Sequence, residues 1–356
     1  MTASSSDDIL FETANGWGVV TMNRPAALNA LTSDMVVAYR AQLAAWSDDP
    51  SVNAVLVKGA GEKAFCAGGD IRWLRDTAQR DPDAACDFFR AEYANNVAIQ
   101  EFAKPYVSLI DGVVMGGGVG VSVHGDFRVA GDRTLFAMPE TGIGLVPDVG
   151  GGHFLPRLKD GLGLYYGLTG ARAKAADCIA AGVATHYVPT DAMADLEARL
   201  FALAFDDDPY AAVKGALDAA GQDPGAAPVD ERRALIAKTF TPGAGVDDVL
   251  AALKAEGSET AQAIAGEIAR MSPTSLKLTA EQLRRGADLD FRHVMRMEFR
   301  LVHNIMRGHD FFEGVRAQII DKDRNPSWSP PSLDAVDAAT VAGYFADLGD
   351  KELALG

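Results

Sequence analysis

The sequence predicts an α/β fold over its first half and an all-helical region over its second. Three observations carry this reading: short β-branched runs closed by Gly or Asn, helical patterns lying between those runs, and a change of character after about residue 205. The expected organisation is therefore residues 1–205 as an α/β core that carries the active site, and residues 206–356 as a helical C-terminal region and tail.

The strand candidates are "GVVTMN" (18–23), "AVLVKGA" (54–60) and "YVSLIDG" (106–112). Between the first two, "LTSDMVVAYRAQLAAWSDD" repeats apolar residues at the helical period through Met35, Val36, Tyr39, Leu43 and Trp46, with Thr32 or Ser33 placed to cap its start. Beyond 205, "DDDPYAAVKGALDAAGQDPGAAPVDERR" mixes prolines and glycines in a way that suits short helices joined by loops. "FRHVMRMEFRLVHNIM" then puts Phe291, Val294, Met295, Leu301, Val302 and Ile305 on one stripe. The tail "DKDRNPSWSPPSLDAV" returns to Pro and Ser and is expected to wrap over the surface. No repeat of solenoid period occurs.

Composition bounds the partners. The 356 residues are 48% hydrophobic and 23% charged, as in a globular protein, and 33 basic against 49 acidic residues leave a net charge of −16. That charge argues against nucleic acid or an anionic membrane as a general partner. The longest apolar run, "YVSLIDGVVMGGGVGVSVHG", is broken by Asp111 and by glycines and makes a poor membrane span. Cys66, Cys86 and Cys178 form no CxxC pair and no even disulfide set, which suits a reducing compartment. The start "MTASSSDDILFE" has neither a signal-peptide nor a transit-peptide pattern, so a cytoplasmic location is expected.

Two Gly-rich stretches, "KAFCAGGDI" (63–71) and "DGVVMGGGVG" (111–120), each follow a strand candidate. A strand running through glycines into a helix presents backbone N–H groups where the helix dipole favours negative charge. Two such turns suit an oxyanion hole; close packing and tight turning are the alternative use of the same glycines. Other motifs fail. "GVSVH" (120–124) lacks the closing glycine of a nucleophile elbow, no GxxxxGK[ST] is present, and "GLGLYYG" (161–167) misses the dinucleotide spacing by one residue. The six histidines show no metal-ligand spacing, and Cys66 reads as a small residue filling a tight turn because no partner base accompanies it.

The segment "MPETGIGLVPDVGGG" (138–152) places Glu140 and Asp148 directly after prolines, among apolar residues and glycines. Carboxylates on such turns are desolvated, which raises their proton affinity, and perturbed carboxylates gather at catalytic sites. A purely structural use would have Asp148 cap a helix starting near Val149, and Glu140 pair with a base such as Arg133.

"KAFCAGGDIR", "DGVVMGGGVGVSVHGDFRVA", "FAMPETGIGLVPDVGGGHFLPRL" and "MRGHDFFEGVRAQIIDKDRNPSW" together resemble the crotonase (enoyl-CoA hydratase/isomerase) superfamily, and within it the 3-hydroxyisobutyryl-CoA hydrolase family, over essentially the whole chain. The resemblance implies a crotonase-like spiral of ββα units with a helical C-terminal region, and an acyl-CoA thioester as substrate. It implies hydrolysis of 3-hydroxyisobutyryl-CoA, and of 3-hydroxypropionyl-CoA as a related substrate, as in valine catabolism, with no metal or redox cofactor. The family's oxyanion-hole amides fall on Gly69 and Gly117, its catalytic carboxylates on Glu140 and Asp148, and a substrate-contacting position on Glu92, which periodicity alone reads as a solvated helix residue. Hydratases of the superfamily carry a second glutamate two residues beyond the "GGG" run; Gly120 stands there, and Asp148 stands where they usually have Gly. An enoyl-CoA hydratase or isomerase is the alternative enzyme, and a catalytically silent CoA-binding or scaffold protein the alternative of another class. Arg24, Lys58, Lys63, Arg72 and Lys277 are candidates for the CoA phosphates, each equally readable as an ordinary surface charge. The resemblance leaves a homo-oligomer, a trimer or a multiple of trimers, open.

Overall fold

The computed structural model describes residues 7–205 and 207–355, so the first six residues of the acidic start lie outside the described residues. Two compact units make up the chain, and both are discontinuous in sequence. The first comprises Met1–Gly69, Ala94–Phe136 and Ala173–Val229; the second comprises Asp70–Tyr93, Ala137–Arg172 and Asp230–Gly356. The change of character read near 205 is one of secondary structure: after the strand His186–Tyr187 every described regular element is helical. The compact units interleave across that point.

In the first unit the strands come in pairs: β1 (Ile9–Ala14) and β2 (Trp17–Met22), β3 (Ala54–Gly59) and β4 (Ala64–Cys66), β5 (Tyr106–Leu109) and β6 (Val113–Met115), β7 (Phe127–Ala130) and β8 (Leu135–Ala137), then β9 (Ala173–Lys174) and β10 (His186–Tyr187). Helices Ser33–Asp48, Pro82–Gln100 and Gly117–Gly120 follow the first, second and third pairs. In the second, third and fourth pairs the first strand joins a six-stranded sheet, β1-β2-β3-β5-β7-β10, and the second joins a four-stranded one, β4-β6-β8-β9; in the last pair the roles are exchanged, β9 joining the four-stranded sheet and β10 the six-stranded one. β2, β3, β5, β7 and β10 run parallel, each one winding further along the sheet, which is a spiral of ββα units.

Parallel strands are covered on both faces, so they read as continuous apolar runs. Trp17, Val19, Leu56, Val107 and Val129 pack with Leu196 and Leu200 of helix Met193–Phe201 and with Val213 and Leu217 of helix Pro209–Ala220. The helix Ser33–Asp48 buries Met35, Val36, Tyr39, Leu43 and Trp46, and Thr32 caps it by accepting from the Met35 N–H. Gly18 is a glycine because a Cβ there would lie 2.6 Å from the Trp46 ring.

The second unit is helical. Phe291–Ile305 buries the stripe read from its sequence, and Leu162–Thr169 is buried on all sides. The motif "EGVRAQIIDKD" is one ion-pair network: Arg316 holds Glu313 at 2.8 Å, Asp321 at 2.8 Å and Asp323 at 2.6 Å. The tail runs exposed over residues 321–325, and the Trp328 indole N–H donates to the Arg270 carbonyl at 3.1 Å.

Within the first unit Gly118 is tightly constrained: a Cβ there would sit 2.1 Å from the Cys66 carbonyl oxygen. Gly118→Ala is expected to cost about 1–3 kcal/mol by overpacking. At about 2–4 °C per kcal/mol, Tm in thermal unfolding then falls by several degrees.

Candidate active site

The two Gly-rich stretches fold as the spiral demands. β4 ends at Cys66 and the chain turns through Gly68, whose φ of +105° an L side chain rarely adopts. Leu31 N–H donates to the Gly68 carbonyl at 2.8 Å, and Ala67 N–H to the Leu28 carbonyl at 3.0 Å, so residues 28–31 clamp the turn. β6 ends at Met115; Gly116 takes a φ of +48° with ψ of −125°, and the short helix Gly117–Gly120 begins. A Cβ on Gly68 would lie 3.3 Å from the Gly117 nitrogen, so the two turns touch backbone to backbone. Among the loop and turn hydrogen bonds of the described residues, neither the Gly69 nor the Gly117 N–H is a donor. Cys66 is buried, with its thiol 3.9 Å from the Gly68 carbonyl, as a residue filling a turn should be.

The carboxyl groups lie in the second unit. Glu140 opens the 3₁₀ turn Glu140–Ile143, directly after Pro139, and is buried at 5% exposure. Its Oε2 has no hydrogen-bond partner. Asp148, at 4% exposure, accepts from the Tyr93 hydroxyl at 2.7 Å. Glu92, one residue before Tyr93, is 2% exposed, and its Oε1 is also unpartnered. Among the described residues no cation pairs with any of the three; Arg133 instead holds Asp111 at 2.6 Å.

Electrostatics follow from this arrangement. Burial pushes the Glu140 carboxyl well above the usual range, and the Asp148 charge pushes it further. Glu92 is raised by burial, then by Asp148 and Glu140. Asp148 rises to about 6 by burial, opposed by the Tyr93 hydrogen bond. The Tyr93 phenol is itself raised by burial and then by Asp148, so it stays a donor. Three carboxyl groups that repel one another share their protons, and the charge settles first on Asp148, the one with a hydroxyl donor.

The helix-cap alternative for Asp148 is not what the structure shows. The helix Gly151–Phe154 is capped by Gly150 with no side-chain bond, and its free amides are taken by Glu298, which accepts from the Gly150 and Gly152 N–H groups at 2.7 Å each. Glu92, read from periodicity as solvated, is buried; it lies four residues after Phe88 and three after Phe89, on the apolar face of its helix. Tyr93 and Glu298 were not singled out by sequence reasoning. For Glu298 a signal existed: a lone acid between Met295 and Leu301 interrupts an apolar stripe. Several phosphate candidates are engaged otherwise. Lys58 pairs with Glu197 at 2.5 Å, Arg24 with Asp8 at 3.5 Å and Lys277 with Asp247 at 3.4 Å, while Arg72 donates to the Ile319 carbonyl at 2.9 Å; Lys63 is exposed. No group of three or more His, Cys, Asp or Glu suited to a metal ion occurs among the described residues.

A buried carboxyl whose folded pKa exceeds its unfolded value lowers stability as pH rises through that interval, here from the ordinary value near 4 to about 6 for Asp148. Asp148→Asn keeps an acceptor for Tyr93 and removes that cost. It is expected to stabilise the fold by about 3 kcal/mol at pH 8 and by little at pH 4. Thermal unfolding at the two pH values checks the difference.

Comparison with known proteins places this geometry. The chain matches the enoyl-CoA hydratase/isomerase family over residues 17–345. It is 46% identical to a 3-hydroxyisobutyryl-CoA hydrolase, mitochondrial, of Danio rerio, covering 100% of this chain and 94% of that one. It is 44% identical to the Homo sapiens protein of the same description, covering 98% and 91%. Among solved structures, a carnitinyl-CoA dehydratase from Mycobacterium thermoresistibile superimposes with a TM-score of 0.91 at 43% identity, covering 98% of this chain and 99% of that one. An enoyl-CoA hydratase from Rhodobacter sphaeroides 2.4.1 does so with a TM-score of 0.87 at 38% identity and the same coverage. The paired strands and parallel winding are those of the crotonase fold. The expected cytoplasmic location is overturned, because the curated relatives are mitochondrial proteins; cysteines outside disulfides suit any reducing compartment and name none. This chain belongs to the enoyl-CoA hydratase/isomerase family and, within it, to the 3-hydroxyisobutyryl-CoA hydrolases.

Proposed function

We propose that the protein hydrolyses the thioester of 3-hydroxyisobutyryl-CoA to the free hydroxy acid and CoA, as a step of valine degradation, and accepts 3-hydroxypropionyl-CoA as well. The second substrate lacks one methyl group, a difference worth about 1–3 kcal/mol in a pocket. The single observation that carries the chemistry is a buried cluster of carboxyl groups, Glu140, Asp148 and Glu92, which raise one another's proton affinity and have no paired cation among the described residues.

Hydrolysis builds negative charge on the carbonyl oxygen. The Gly69 and Gly117 amides are proposed as its donors, since loss of one such donor costs about 10²- to 10³-fold in rate. Glu140 supplies the base chemistry. In one form it attacks the carbonyl carbon, the C–S bond breaks, and the resulting mixed anhydride is cleaved by water. In the other it takes a proton from water, which attacks directly. In both, the CoA thiolate leaves and is protonated. Asp148 holds the substrate 3-hydroxyl or manages the proton at the departing sulfur, and Glu92 orients the acyl group. A homo-oligomer, a trimer or a multiple of trimers, belongs to the same proposal and is read by sedimentation of the purified chain.

The descriptions of the two solved structures favour a second reading, a hydratase or dehydratase acting on an enoyl-CoA. Syn addition of water to a double bond needs a second acid/base group, and the position two residues beyond the "GGG" run is Gly120, which is buried in the short helix Gly117–Gly120. Purified protein offered 3-hydroxyisobutyryl-CoA is expected to release free thiol, and offered crotonyl-CoA to leave the enoyl chromophore intact. Chromophore loss without thiol release overturns the hydrolase reading.

The raised proton affinity of Glu140 fixes a pH dependence. A base or nucleophile acts deprotonated, so kcat/KM rises with pH along a limb lying above the ordinary carboxylate range near 4. Asp148→Asn removes a repelling charge, so the limb of its residual activity is expected to move to lower pH. Glu140→Gln is expected to lower kcat on the order of 10³-fold. Unchanged turnover in both variants removes Glu140 and Asp148 from the reaction.

A further inference from the structure

The segment that carries Asp148 is strained, and something must hold it. Val149 has a φ of +50°, a left-handed conformation costly for a β-branched residue, and Gly150 follows with a φ of +88°. Such a backbone persists only where its surroundings over-determine it. Two side chains from the helical region meet here. Glu298, on helix Phe291–Ile305, is fully buried and divides its two oxygens between the Gly150 and Gly152 amides, at 2.7 Å each. Gln282, on helix Pro273–Gly286, is fully buried too; its amide nitrogen donates to the Pro147 carbonyl at 2.6 Å and to Glu298 Oε1 at 3.0 Å. Residues 147, 150 and 152, on both sides of Asp148, are thus tied to one carboxyl–amide pair.

The fit leaves no slack. A Cβ on Gly152 would lie 3.1 Å from Glu298 Oε1 and 3.2 Å from Gln282 Cγ, and one on Gly286 would lie 1.9 Å from the Gly152 carbonyl oxygen. Among the described residues no cation offsets the burial of Glu298, and three N–H donors stand in its place. Burial of a carboxyl without a counter-ion is costly, and an acid buried in the apolar stripe of a helix needs a use beyond packing.

We propose that Glu298, together with Gln282, is a positioning residue for the reaction: it grips the Gly150 and Gly152 amides and so fixes where the Asp148 carboxyl stands. The Tyr93 hydroxyl sets the orientation of that carboxyl from its other end. Neither Glu298 nor Gln282 is placed on substrate; both act through Asp148. The proposal rests on the hydrolase reading for its kinetic consequence and on the geometry alone for its structural one.

The test combines a double-mutant cycle with hydrogen exchange. Glu298→Gln keeps the side-chain shape and leaves one acceptor for two amides. Thiol release from 3-hydroxyisobutyryl-CoA is expected to show kcat lowered about 10- to 100-fold, the scale of a small misplacement, with KM changed by less than about threefold. In an Asp148→Asn background the same substitution is expected to change kcat by less than about twofold, because what it positions is already gone. A merely structural loss would lower activity by the same factor in both backgrounds, and that result, or an unchanged kcat for Glu298→Gln, overturns the proposal. Gln282→Met, which removes the donor to Pro147, provides a second arm with the same two outcomes should Glu298→Gln fail to fold. Amide exchange over residues 148–153 is expected to quicken in Glu298→Gln while helix Phe291–Ile305 stays protected. Absence of thiol release from the wild-type protein would sink the hydrolase reading alone, and positioning by Glu298 would then be decided by exchange: unchanged protection over 148–153 refutes it.

Discussion

Three carboxyl groups buried beside one another, with no cation paired to them among the described residues, set the terms for the second unit. Charge removed from water is expensive, and a protein ordinarily pairs it or leaves it outside. Here neither is done for Glu140, Asp148 and Glu92. The consequence is proton affinity raised above the ordinary carboxylate range in all three, to about 6 in Asp148, with the spread among them set by what each is bonded to. Asp148 has a phenol donor and ionises first; Glu140 and Glu92 have an oxygen each with no partner and hold their protons longer.

Such a cluster must be fixed by its surroundings, since no ion pair fixes it. Much of the second unit's backbone geometry follows from that. The turn Glu140–Ile143 and the helix Asp310–Val315 meet at glycines: a Cβ on Gly144 would lie 2.3 Å from the Asp310 carbonyl oxygen, and one on Gly314 would lie 2.4 Å from the Ile143 carbonyl carbon. The motif around Glu313 and Arg316 thus packs its backbone against the turn that carries Glu140. The first unit applies the same device to a different end. Its glycines let β4 and β6 deliver two turns into backbone contact, with the Gly69 and Gly117 amides at their ends.

Parts of this were legible in the sequence because they depend on local rules. β-branched runs closed by Gly or Asn became β2, β3 and β5, Thr32 became the cap of its helix, and the stripe from Phe291 to Ile305 was buried as its period required. Glu140 and Asp148 stood out because prolines and apolar neighbours left them no solvent. What could not be read depends on contacts between distant segments. Nothing near Glu92 or Tyr93 in sequence says that the face they share with Phe88 and Phe89 is turned inward, and nothing near Val149 announces that Glu298, about 150 positions on, takes the amides that a capping Asp148 would have held. The alternation of strands between two sheets is likewise a property of the winding and not of any one run. Cysteine usage speaks only to redox state, and the pattern of "MTASSSDDILFE" names no compartment, which is why the location was misread.

The most direct measurement is of the carboxyl groups themselves. Infrared difference spectra of the wild-type protein across pH, with Glu140→Gln and Asp148→Asn used to assign the bands, should show one carboxyl titrating near 6 that disappears in Asp148→Asn, and a protonated carboxyl persisting to higher pH that disappears in Glu140→Gln. Both bands titrating together near 4, as solvated carboxylates do, would contradict a desolvated, cation-free cluster and everything built on it.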